Sequence, residues 1–133
     1  MDYVERVEHN GKLLALIIRE KFNKEGLTFL TENHCSLQLG IHIQNKGYGS
    51  KPHKHLPLKN IENLDREEMF YVVKGKIVVG LYTDDGKKVT DVEGNQGDII
   101  IVYGGHSLTC SEDTKFIEVK QGPYTGDKDK GYF

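Results

Sequence analysis

Between Lys12 and Lys120 the sequence is a succession of short β-type segments separated by turn residues, and this punctuation limits the folds open to the chain. Lys12–Glu20 is an apolar run too short, and too rich in branched side chains, to be read as a helix. Ser36–Gln44 alternates, with Leu37, Leu39, Ile41 and Ile43 on one side and Ser36, Gln38, His42 and Gln44 on the other, as a half-buried strand does. Glu68–Val73 and Lys76–Thr83 are joined through Lys74-Gly75, and Asp84–Gly86 turns the chain into Lys87–Val92 as a hairpin. Ile99–Val102 and Lys115–Lys120 complete the series, while Asn60–Arg66 has room for one helical turn. Several short strands with frequent turn signals predict an all-β sandwich or barrel.

The chain length of 133 residues fits one domain, 1–133, with a core expected over about 36–120 and an irregular tail over 121–133. A domain of that size buries roughly two-thirds of its unfolded surface and needs no staples. Fifteen glycines, spread rather than clustered, agree with many turns. A net charge of −2 gives no electrostatic footprint for nucleic acid or an anionic membrane, so neither is expected as a partner. Cys35 and Cys110 make no disulfide framework, no apolar run approaches membrane-spanning length, and no leader is expected because no charged-then-apolar stretch opens the sequence. A soluble cytoplasmic protein with reduced thiols is therefore expected, with Cys110 a small core residue.

Three groups of polar residues depart from this ordinary pattern. His53 and His55 stand at i, i+2 between Pro52 and Pro57, so in extended chain both imidazoles point to one side. Two such nitrogens suit a divalent transition metal. Glu67-Glu68 opens a strand whose neighbours are nearly all apolar, and a carboxylate entering a core needs a charge partner or a metal. His106 follows Gly104-Gly105 just past the apolar Ile99–Val102, where glycines let an imidazole approach something closely.

In this order the residues resemble the cupin superfamily, small jelly-roll β-barrels with two motifs, G-x5-H-x-H-x3/4-E-x6-G and G-x5-P-x-G-x2-H-x3-N. His53 and His55 match the paired histidines, and Glu68 matches the glutamate because six residues separate it from Gly75. Gly97, Gly105 and His106 match the second motif, and the likeness covers roughly Gly47 to Lys120. There are departures. Twelve residues separate His55 from Glu68, Tyr103 replaces the proline, His106 comes two residues early, and Cys110 takes the asparagine place. Glu67 and Glu62 thus stay open as alternatives to Glu68.

The resemblance implies a cupin jelly-roll barrel with extra N-terminal strands, and a metal (iron, manganese, nickel or zinc) held by His53, His55, Glu68 and His106. The ending "IEVKQGPYTGDKDKGYF" and the early "SLQLG" look like a subgroup of short cupins found in surface-polysaccharide and nucleotide-sugar gene sets. That implies a small sugar-like ligand and an isomerase or epimerase. A non-catalytic binder of a sugar or nucleotide-sugar and a metal-dependent oxygenase are the alternatives. Lys120, Glu118 and His42 are the candidate acids and bases. Gln38, Gln44 and Tyr103 are candidate substrate contacts, and a homodimer pairing through the N-terminal strands is expected.

Overall fold

The computed structural model describes residues 2–59, 63–123, 126 and 130–133. Its ten strands are β1 (Val4–His9), β2 (Lys12–Ile18), β3 (Gly26–Phe29), β4 (Gly40–Ile43), β5 (Glu68–Lys74), β6 (Lys76–Tyr82), β7 (Lys88–Asn95), β8 (Ile99–Val102), β9 (His106–Cys110) and β10 (Lys115–Lys120). Every ladder is antiparallel, and no α-helix occurs among the described residues. The all-β expectation is met. A closed barrel is not formed: the ladders make three separate sheets, of which the larger two end at β1, β10, β7 and β9.

The strands fall into two compact units, Met1–Phe22 with Arg66–Phe133, and Asn23–Asp65. In the larger unit a five-stranded sheet runs β1-β2-β8-β5-β10 and a three-stranded sheet runs β7-β6-β9. Strand alternation explains the core between them. Ile77, Val79 and Leu81 of β6 are buried, together with Phe70 and Val72 of β5 and Ile100 and Val102 of β8. β2 lies upstream of the 36–120 stretch, yet buries five consecutive residues, Leu14 to Ile18. A strand buried on both faces reads as a continuous apolar run, which is why Lys12–Glu20 shows no alternation.

Only Gly75 separates β5 from β6, although they lie in different sheets. The chain crosses there at φ +93°, and a Cβ on Gly75 would stand 2.5 Å from Thr114 Oγ1. Glycine alone meets both demands. Asp98 fixes the crossing from β7 to β8. Its buried carboxylate accepts the backbone N–H groups of Glu20 (3.0 Å) and Asn95 (2.8 Å) and pairs with Arg19 Nη1 at 2.8 Å.

The smaller unit carries the β3–β4 hairpin, registered from Gly26↔Ile43 to Phe29↔Gly40. The strand expected over Ser36–Gln44 is shorter, because Gln38 Nε2 donates to the carbonyls of Glu32 (2.8 Å) and Cys35 (2.9 Å) and holds that end in a turn. Its alternation fails as well: Ile43 is exposed like its neighbour His42. In the Asn60–Arg66 stretch, 60–62 lie outside the described residues and 63–66 form no helical turn.

Candidate functional site

Glu68 opens β5, two residues before Phe70 and four before Val72, so it shares their inward face at the end where the apolar core runs out. His106 opens β9 opposite the core residue Leu81 of β6. The two side chains come from facing sheets, and Glu68 Oε2 stands 3.3 Å from His106 Nε2. Their side chains are 18% and 26% exposed, well removed from bulk water.

The other ring nitrogen of His106 lies 2.9 Å from the Gly104 carbonyl. A carbonyl only accepts, so Nδ1 carries a proton and Nε2 is the nitrogen offered to Glu68. Two electron pairs 3.3 Å apart would repel, so a proton or another cation belongs at Nε2. The hydrogen bond to Glu68 raises the His106 pKa against the opposing effect of burial, with the Gly104 carbonyl and the charges of Glu68 and Glu118 adding to it. The same hydrogen bond lowers the Glu68 pKa. Burial opposes it, and the charges of His106, Lys120 and Lys130 assist. Phe70 meets the His106 ring edge-on at 5.9 Å and fixes its plane.

A cleft of about 520 Å³ opens around this pair, a volume suited to a small molecule. β10 supplies one wall from a single face. Lys120 is registered against Glu68, Glu118 against Phe70, and all four line the cleft with Phe116. Four of the residues picked out by sequence, Glu68, His106, Glu118 and Lys120, are thus brought together. Glu68 rather than Glu67 faces this space; Glu67 is 6% exposed, and its carbonyl accepts the Gln121 N–H at 3.1 Å. Glu62 lies outside the described residues.

Of the remaining candidates, Tyr103 belongs to the larger unit and His53, His55, His42, Gln38 and Gln44 to the smaller. His53 and His55 are exposed in the smaller unit, with ring centres 5.3 Å apart, and His53 Nδ1 donates to the Lys51 carbonyl at 2.8 Å. His42, Gln38 and Gln44 are exposed in the same unit, where Gln44 Nε2 lies 3.2 Å from His42 Nδ1. Tyr103 follows β8 in the larger unit and donates its backbone N–H to the Leu14 carbonyl at 3.1 Å. Cys110, expected in the core, is exposed at the end of β9, and both cysteines are free. Among the described residues no group of three or more His, Cys, Asp or Glu side chains is assembled to hold a metal ion.

Arg66, Lys130, Tyr132 and Phe133 also line the cleft and carried no motif to announce them. The one available signal was an aromatic pair closing an otherwise polar tail. Gly105 lets that tail approach: a Cβ there would stand 2.7 Å from the Phe133 ring. Among the described residues there is no helix long and apolar enough to cross a membrane. Comparison of the chain with protein-family models, with curated proteins and with solved structures returned no match.

Proposed function

We propose that this chain is a metal-binding cupin, with jelly-roll strand order in its larger unit, acting on a small sugar-like substrate as an isomerase or epimerase. The observation that carries the reading is the Glu68–His106 pair at 3.3 Å, set in a cleft that also receives Glu118 and Lys120. Proton transfer on a polar substrate needs an acid and a base held at fixed places, and β10 presents Glu118 and Lys120 two residues apart on one face. They are preferred to His42 for the proton steps because they line the same cleft as the pair.

The donor chemistry fits a divalent transition metal. In His106 and His53 alike a backbone carbonyl holds the Nδ1 proton, which leaves Nε2 to ligate. Glu68 and His106 would hold the ion from the cleft; His53 and His55 join the set on the resemblance alone. When bound, iron, manganese, nickel or zinc supplies a Lewis acid toward a substrate oxygen. The chain's own groups do the rest. Glu118 accepts a substrate proton, Lys120 returns one to the neighbouring atom, and Phe70 and Phe116 keep water from the inner end. A homodimer through the N-terminal strands belongs to the same proposal, since β1 is an open edge of its sheet.

Elemental analysis of untagged protein beside Glu68→Ala, His106→Ala and His53→Ala tests this reading. About one equivalent of metal is expected in the parent, and loss in all three variants. No metal in the parent, even after reconstitution with iron, manganese, nickel and zinc, would overturn it. Turnover of sugar substrates lost in Glu118→Gln with ligand affinity kept would separate an enzyme from a binding module.

A further inference from the structure

The Phe133 ring sits in a slot built for it within the larger unit. It lies beside Tyr82, with ring centres 5.9 Å apart and planes tilted by 35°. Two glycines make the rest of the seat. A Cβ on Gly105 would stand 2.7 Å from the ring, and one on Gly86 would stand 3.1 Å from it. A side chain at either position would press on the ring, so the slot depends on both being absent. Three places in the chain supply it: Tyr82 at the end of β6, Gly86 in the turn that follows, and Gly105 just before β9. Tyr82 is steadied in turn, its hydroxyl 3.1 Å from Ser107 Oγ.

The slot adjoins the cleft. Gly105 immediately precedes His106, and Lys130, Gly131, Tyr132 and Phe133 line the same space as Glu68 and His106. With the ring seated, these four residues are part of the cleft wall. The seat is shallow, however: Phe133 is 71% exposed and Tyr132 88%. Apolar contact over about three-tenths of one ring favours the seated state by only roughly two- to fivefold. Seated and released states of such a contact are both populated. The ring has no polar atom, so its release orphans no hydrogen bond.

We propose that Lys130–Phe133 is a strap over the cleft, latched by the Phe133 ring in the Gly86–Gly105–Tyr82 slot, and that release of the ring opens the way to the Glu68–His106 pair. The strap governs entry, whatever the pair holds. A ligand that reaches the pair must then meet the released state, and its apparent affinity is reduced by the fraction of chains in which the ring is seated.

The test is carbethoxylation of His106 by diethyl pyrocarbonate, followed by peptide mass spectrometry in chelated protein from pH 6 to 8, beside trypsin cleavage after Lys130. The reagent attacks the neutral imidazole, so the rate at the high-pH plateau reports access and the midpoint reports the proton. Phe133→Ala should raise the His106 plateau and the cleavage rate by about three- to sixfold, the inverse of the released fraction. His53, exposed in the smaller unit, should react at the parent rate throughout and shows that the protein is intact. Gly105→Ala puts a Cβ where the ring lies and should match Phe133→Ala. The double variant should rise no further, because both changes remove one contact. His106 labelling unchanged in Phe133→Ala would overturn the strap, whether or not cleavage after Lys130 quickens. A Gly105→Ala effect that adds to that of Phe133→Ala would overturn the slot as its latch, since it would act on the loop before His106 instead. These rates are read without metal, so a failure of the metal-centre reading is seen separately, in the elemental analysis.

Discussion

The cleft pair and the paired histidines make an instructive contrast. Glu68 and His106 stand on the first residues of two strands, each continuing an inward-facing core row, so ladder register and sheet packing set their 3.3 Å approach. His53 and His55 stand on exposed, irregular chain in the smaller unit, where His53 donates a hydrogen bond to the Lys51 carbonyl and its ring meets that of His55 at 5.3 Å. The first pair is preorganised by the fold. The second owes its geometry to two prolines and one local hydrogen bond, and must gain the rest of its order from whatever it binds.

The largest expected effect tests whether the cleft pair depends on the core. Phe70 is fully buried between His106 and Phe116, and Phe70→Ala should cost about 3–5 kcal/mol in denaturant unfolding. Phe29→Ala removes a 62% exposed ring from the smaller unit, and its effect should stay within about 0.5 kcal/mol. Equal costs would break the contrast. Next in size is Gly75→Ala, which forces a side chain onto a positive φ and against Thr114. A loss of about 1–3 kcal/mol is expected from that strain.

The same contrast explains what could be read in the sequence. β5, β6, β8 and β10 were legible because apolar periodicity and turn residues agreed at each of them. Glu68 was reached through its six-residue spacing to Gly75, a spacing with a physical basis: the strand between them must end where the chain crosses sheets. Ser36–Gln44 misled, since alternation predicts burial only where a second layer covers one face, and the β3–β4 hairpin leaves Leu27, Phe29 and Ile43 exposed. β1 was passed over because VERVEH carries just two apolar residues, its partner β2 supplying the pattern. Lys130 and Tyr132 were invisible for another reason. A tail segment reaches a cleft by tertiary contact, which leaves no period behind.

An effect of intermediate size is the pH dependence of the cleft pair. The folded pKa of His106 is raised, so its contribution to stability is complete below the unfolded value near 6.5 and is lost as pH rises through the folded value. The folded pKa of Glu68 is lowered, so its contribution is present above the unfolded value near 4.5 and is lost as pH falls through the folded value. Metal-free protein should therefore be most stable between those two pH values. Glu68→Gln should flatten the profile on both sides, and the parent-minus-variant difference should peak at about 1–2 kcal/mol for a partly buried pair. Urea unfolding midpoints across pH 3–9 check this; a difference independent of pH would show that the pair is not an ion pair.

The smallest effect separates the two histidine sites most sharply. Without metal, His53→Ala should change stability by no more than about 0.5 kcal/mol, because it removes an exposed ring and one local hydrogen bond. His106→Ala should cost more than this, because it leaves the Glu68 carboxylate partly buried without its hydrogen-bonded partner. With metal at a hundredfold excess over its dissociation constant the parent should gain about 2.7 kcal/mol. Both variants should lose that gain if the four residues form one ligand set. A metal-dependent gain surviving in His53→Ala and absent in His106→Ala would confine the ion to the strand-mounted pair, and would make the exposed histidines a feature of the surface rather than of the site.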